Sequence, residues 1–191
     1  MLVSGGMDDH LSWREEKSEL IRSCGIFDLR RARRVSGRGR QGWFYLLEAP
    51  DWINVVPVLK DAEGGTRFLM VKQFRHGIRE VTVEFPAGLV QEGEALEEAA
   101  RRELLEETGY RAGSLRMIGR IRPNPAFMSN WCYTYTAERL ERSEEQNLDE
   151  LEELEVLAVP VPELVSGIGT GVYCNSMTFI ALQWYLRSAP E

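Results

Sequence analysis

The stretch "GEALEEAARRELLEETGY", Gly93 to Tyr110, constrains this chain more than any other, because it has helical spacing and sets six glutamates around two arginines. With Glu94 at zero and about 100° per residue, Leu96, Ala99 and Ala100 fall between roughly 140° and 240°. On the same wheel Glu103, Glu106 and Glu107 fall between roughly 120° and 220°. The apolar residues mark the side that packs inward. The second half of the helix therefore turns three carboxylates into the sector that the first half fills with Leu and Ala. Glu97, Glu98 and Arg101 lie on the other side and read as solvated residues.

Ionised carboxylates without partners are costly to bury, and their mutual repulsion adds to the cost. Arginine pairing or a bound divalent cation relieves it. Arg102 can serve one carboxylate, and three converging acids exceed what it can neutralise. Oxygen donors at this density favour Mg²⁺ or Mn²⁺. The C-terminal end of a helix dipole also disfavours anions, and a cation in front of it reverses that. The competing interpretation is an exposed acidic helix with intrahelical ion pairs.

The other features fit a folded α/β protein. A length of 191 residues suits one domain, or one domain with an arm, and an apolar fraction of 43% with five tryptophans excludes a disordered chain. A net charge of −7 argues against a general nucleic-acid or membrane binder. Cys24, Cys132 and Cys174 are far apart and odd in number, which favours reduced thiols. No apolar run approaches a membrane span, and "MLVSGGMDDH" lacks the pattern of a signal peptide, so a cytoplasmic location is expected. The segment "FDLRRARRVSGRGRQGWFYLLE" reads as a hairpin, and 11–24 as polar with weak patterning. "WINVVPVLKD" and "RFLMVKQF" read as paired buried strands. "VTVEF", "LRMIGRIR", "WCYTYTAERL" and Leu154 to Val159 read as further strands, with a last helix from Ser176 to Arg187. Strands, an inserted helix, more strands and a closing helix predict a sandwich around a mixed sheet. An N-terminal arm over 1–45 precedes a main domain over 46–191.

From Gly88 the chain runs glycine, five residues, Glu94, seven residues, Arg102-Glu103-Leu104, one residue, Glu106-Glu107, one residue, Gly109-Tyr110. This resembles the Nudix box, the signature of the Nudix hydrolases. "VKQFR" at 71–75, "EFPAGL" at 84–89, Pro125 fifteen residues past Tyr110 and "IALQW" at 180–184 are similar to the ADP-ribose pyrophosphatase branch. The chain departs from that branch in reading Asn124-Pro125-Ala126 where Ser-Pro-Gly is common. The resemblance implies an αβα sandwich and a Mg²⁺- or Mn²⁺-dependent hydrolase of a nucleoside diphosphate linked to another group.

By the same resemblance Glu103, Glu106 and Glu107 become metal ligands together with the Ala87 carbonyl. Arg102 pairs with a carboxylate and holds the ligands in place. The catalytic base comes from a loop glutamate in "LDELEELEVLAV", with Glu150 first, Glu152 next and Glu153 also a candidate. Arg75 would face the substrate phosphates and Glu84 a ribose hydroxyl, although Arg75 also fits a salt bridge. Phe27 and Trp43 correspond loosely to aromatics that sandwich adenine in some dimeric relatives, which implies a homodimer joined through the N-terminal arm. The arginine cluster "RRARRVSGRGR" invites a nucleic-acid interpretation, but no aromatic platform or RNA-binding signature accompanies it.

Overall fold

The computed structural model describes residues 10–61, 64–143, 146–148 and 153–188. These divide into two compact units, one within Met1–Pro50 and Arg122–Asn130, the other within Asp51–Ile121 and Trp131–Glu191. Where the sequence suggests an arm over 1–45, the first unit runs to Pro50 and takes in a second stretch.

The first unit is an antiparallel sheet of β1 (Trp13–Ser23), β2 (Asp28–Ser36) and β3 (Gln41–Glu48), in that order. β2 and β3 form the expected hairpin. β1 is a strand that the sequence pattern does not disclose, and the reason is visible in its burial. It is exposed along almost its whole length, so neither face carries an apolar alternation. Charge holds it instead. Glu19 meets Arg31 at 2.6 Å, Glu15 meets Arg34 at 3.1 Å and Glu16 meets Arg33 at 3.6 Å. Arg31 also lies 4.6 Å from the Trp43 ring centroid. The arginine cluster is thus met by acids of its own sheet. Residues 122–130 join through Leu47, whose N–H donates to the Phe127 carbonyl at 2.8 Å and whose carbonyl accepts from Ser129 at 3.2 Å.

The second unit is built on β4 (Trp52–Lys60), β5 (Thr66–Arg75), β6 (Glu80–Glu84), β7 (Ala87–Leu89), β8 (Tyr110–Ile121), β9 (Cys132–Arg142) and β10 (Leu154–Pro160). The sheet order is β10-β5-β4-β9-β8, with β6 paired to β5 and β7 to β4. The β4–β9 pair is parallel and the other pairs are antiparallel. Helix α1 (Leu96–Thr108) covers one face of this mixed sheet, and α2 (Val161–Gly167) and α3 (Ser176–Ser188) cover the other. This is the expected αβα sandwich.

β4 explains the layering. Ile53 and Val55 point to α1 and pack with Ala99, Ala100 and Leu104. Val56 and Val58 point the other way, to a cluster with Phe68, Phe85, Val159, Leu164 and Leu182. A strand buried on both faces carries an almost unbroken apolar run, as "INVVPVL" does. The one polar residue in that run, Asn54, donates its side-chain N–H to the Met177 carbonyl at 3.2 Å and so ties β4 to α3. β7 and α2 are elements that the sequence pattern does not show, the first being three residues long and the second opening on prolines. Among the described residues no helix is long and apolar enough to cross a membrane.

Trp184 of α3 lies directly over a register shift in β8 between Met117 and Gly119. A Cβ built on Gly119 would stand 2.4 Å from the indole. Gly119→Ala should therefore cost about 1–3 kcal/mol by overpacking, seen as a lower urea midpoint at unchanged m-value. An unchanged midpoint would show that the contact is dispensable.

Candidate active site

α1 carries the acids, and its two ends explain their placement. The helix closes on Gly109, whose φ of 74° is left-handed, and no basic residue stands in its last turn. Glu106 and Glu107 therefore sit at the end where the helix dipole disfavours them. At the other end the chain arrives from β7 through Leu89 and Glu94. Strand β7 is pinned to β4 with Gly88 opposite Ile53.

Arg102 is the centre of the assembly. Its Nε donates to Glu94 at 2.8 Å, and Nη2 donates to the other Glu94 oxygen and to the Leu89 carbonyl, each at 2.9 Å. Nη1 donates to Glu103 at 2.7 Å and to Glu106 at 3.0 Å. A guanidinium has five N–H donors, and these five bonds engage all of them. The expectation that Arg102 serves one carboxylate is corrected: it serves three and a backbone carbonyl as well. The bonds to Glu94, then burial working against them, then the bonds to Glu103, leave Arg102 held firmly protonated. Glu94 is held below the usual carboxylate range, chiefly by Arg102. Glu94 is the partner that sequence reasoning left without a role, although its place in the motif, eight residues before Arg102, was a usable signal.

Glu103 and Glu107 are buried, as the helical wheel predicts, whereas Glu106, which the wheel places at the edge of the same sector, is only half-buried. Glu107 accepts a hydrogen bond from the Ala87 N–H at 3.0 Å. Gly88 lies so close to Glu103 that a Cβ added to it would stand 2.1 Å from the carboxyl carbon. Its φ is not positive, so glycine is needed for close approach and not for a turn. Among the described residues no three His, Cys, Asp or Glu side chains already converge as a closed metal cage. Glu103 is drawn to Arg102, and Glu107 to the Ala87 amide. The donors that face this cradle are nevertheless all oxygen, the set that suits a hard divalent cation, and no side chain at position 88 fills the space. Glu106, the most exposed of the three acids, borders a cavity of about 560 Å³ together with Arg101, Arg102, Arg111, Gln146 and Asn147.

Arg75 and Glu84 are brought to each other. Two bonds of 2.9 and 2.6 Å join them, and Thr82 donates to the same carboxylate. Burial pushes the Glu84 carboxyl up, but Arg75, Thr82 and Asn175 outweigh it and hold the group below its usual range. Phe27, in the turn before β2, Trp43 on β3 and the exposed Pro125 belong to the first unit. Glu150 and Glu152 lie outside the described residues, while Glu153 directly precedes β10. The Cys132 thiol, pushed up to about 12 by burial and then by Asp51, stays protonated at neutral pH.

Two expected outcomes follow from these bonds. Arg102→Ala leaves three carboxylates without their shared guanidinium and should cost about 3 kcal/mol in urea unfolding, and Arg102→Lys should recover little because an ammonium cannot reproduce the fork. Glu84, with its pKa lowered in the fold, stabilises above the ordinary value of 4.5, and that contribution is lost as pH falls below it. Glu84→Gln should therefore lower Tm at neutral pH and show a smaller further loss on acidification. An equal acid loss in both proteins would assign the pH dependence elsewhere.

The NUDIX domain model matches residues 52–170. An ADP-ribose pyrophosphatase of Bacillus subtilis is 36% identical over 130 residues, which is 68% of this chain and 70% of that protein. An ADP-sugar pyrophosphatase of Mus musculus is 44% identical over 64 residues, 34% of this chain and 29% of that one. The crystal structure of an ADP compounds hydrolase shares the fold, with a TM-score of 0.80 at 20% identity, covering 93% of this chain and 94% of the other. With the domain matched over more than half of its length, the chain belongs to the NUDIX domain family, as a Nudix hydrolase similar to ADP-ribose pyrophosphatases.

Proposed function

We propose that the protein hydrolyses the diphosphate bond of ADP-ribose or a related nucleoside diphosphate sugar, giving AMP and ribose 5-phosphate from ADP-ribose. The observation that carries this reading is the Arg102 assembly, which orients Glu103 and Glu106 beside Gly88 and Glu107. An acidic helix serving only solubility has no use for so tightly braced a set. Glu103, Glu106 and Glu107, with the Ala87 carbonyl, are the groups that would hold Mg²⁺ or Mn²⁺. Such a cation supplies neutralisation of the diphosphate and a lower pKa for water.

The remaining steps belong to the chain. Arg102, with its donors engaged, acts on the ligands and not on the substrate. A glutamate of the 149–153 stretch, Glu150 before Glu152, takes the proton of the attacking water. The water oxygen bonds to one phosphorus as the bridging P–O bond breaks, and the other phosphate leaves with the bridging oxygen. Arg75, braced by Glu84, offers the guanidinium nearest in type to what the phosphates require. Phe27 and Trp43 are assigned to the adenine and Pro125 to the substrate loop. The protein acts in the cytoplasm as a homodimer, and the exposed apolar residues of the first unit, among them Trp13, Leu20, Ile21 and Tyr45, support such pairing.

A panel of nucleoside diphosphate sugars incubated with and without Mg²⁺ or Mn²⁺ tests the proposal. AMP from ADP-ribose, released only with metal, is the expected result. Turnover of GDP-mannose alone would move the substrate, and binding without product under every metal would replace the enzyme with a regulatory module. Glu107→Gln should lower kcat by about a hundredfold or more while circular dichroism stays unchanged. Wild-type turnover in that variant would remove Glu107 from the site.

A further inference from the structure

Asn175 is the last residue of the loop between α2 and α3. Its side-chain oxygen accepts from the Met177 N–H at 2.7 Å and from the Thr178 N–H at 3.3 Å. Backbone N–H groups at a helix start need an acceptor. The oxygen of the amide therefore faces the helix, and its NH₂ group is turned the other way. There it donates to the buried carboxylate of Glu84. The loop is held in this place by β6, whose Val83 N–H donates to the Val172 carbonyl at 2.8 Å. One side chain thus caps a helix with one atom and holds a carboxylate with another.

Glu84 in turn holds Arg75. The two do not lie opposite each other, since the β5–β6 register sets Arg75 against Glu80. The guanidinium runs along the strand pair and meets both Glu84 oxygens, at 2.9 and 2.6 Å. A two-point bond of this kind requires the carboxylate plane to be fixed. Thr82 steadies it from β6 and Asn175 from the start of α3. The Arg75 side chain is 41% exposed and that of Glu84 4%, so a ligand can meet the guanidinium while its brace stays covered. Ala87 follows Glu84 by three residues, which span at most about 11 Å. The brace is therefore built into the chain that leads to Ala87 and Gly88. We infer that Asn175 is a positioning residue: the amide that caps α3 orients Glu84, and Glu84 aims Arg75 at the phosphates of the substrate. This inference rests on the hydrolase reading above and on its assignment of Arg75. Asn175 is given no contact with the reacting atoms. Its loss weakens the grip on the diphosphate and so falls on KM, with kcat little changed.

Two variants separate the cap from the brace. Asn175→Ser keeps an oxygen for the helix start and leaves no donor within reach of Glu84, whereas Asn175→Ala removes both. With ADP-ribose and Mg²⁺, N175S should raise KM about threefold to tenfold with kcat within about twofold. N175A should match it in KM and also lose Tm, because only alanine gives up the cap. In an Arg75→Gln background, N175S should change kcat/KM by less than about twofold, since the residue through which it acts is gone. Without substrate or metal, hydrogen exchange at Arg75 Nε should quicken in N175S. Wild-type KM in N175S, a KM that rises only in N175A together with the loss of Tm, a full effect in the Arg75→Gln background, or unchanged exchange at Nε would each overturn the inference. A wild-type protein that cleaves no nucleoside diphosphate sugar would instead overturn the hydrolase reading, and exchange at Nε would still decide whether Asn175 braces Arg75.

Discussion

One guanidinium shared among three carboxylates holds the candidate site together. Acids on the packing face of a helix repel one another, and the low-polarity surroundings strengthen that repulsion. Arg102 answers it with a planar fork whose donors are all engaged, by Glu94, Glu103, Glu106 and the Leu89 carbonyl. The same bonds draw the loop before α1 against the helix, because Glu94 also accepts from the Gln91 N–H at 3.0 Å. Loop, helix and acids are therefore one construction. None of the three would hold its position if the fork were replaced by a point charge.

The sheet makes this construction possible by bringing β7 against α1. β7 has little to hold it by itself, with three residues paired to β4. It stays because β4 is buried on both faces and because the Pro86 carbonyl accepts from the Val55 N–H at 2.9 Å. With β7 in place, the Gly88 backbone meets Glu103 and the Ala87 amide meets Glu107. Core packing on β4 thereby sets the position of polar groups at the site.

The parts legible in the sequence were those governed by rotation about a helix axis or by burial. The inward turn of Glu103 and Glu107 follows from residue spacing alone, and so does the two-sided burial of β4. The parts that were not legible depend on which strands lie side by side or where a long side chain runs. β1 has no apolar period to announce it, since its order comes from Glu15, Glu16 and Glu19 finding arginines on β2. Arg75 and Glu84 both suggested contacts with a ligand, and they meet each other although the β5–β6 register sets Arg75 opposite Glu80 and Glu84 opposite Val71, so the pair depends on where the long arginine side chain runs. The requirement for glycine at 88 is the nearness of another side chain, which spacing along the chain does not encode.

The saturation of Arg102 also bears on how an anionic substrate can be met here. A residue with all five donors engaged cannot grip a phosphate without releasing one of its three carboxylates or the Leu89 carbonyl. Arg75 is partly committed as well, through two bonds to Glu84. Both guanidiniums thus serve the protein first. A diphosphate brought toward Glu103, Glu106 and Glu107 would meet charge of its own sign. Reconciling the two requires positive charge that arrives with the substrate or resides between it and the acids, and carboxylate oxygens at this density are the surroundings in which a divalent cation supplies it.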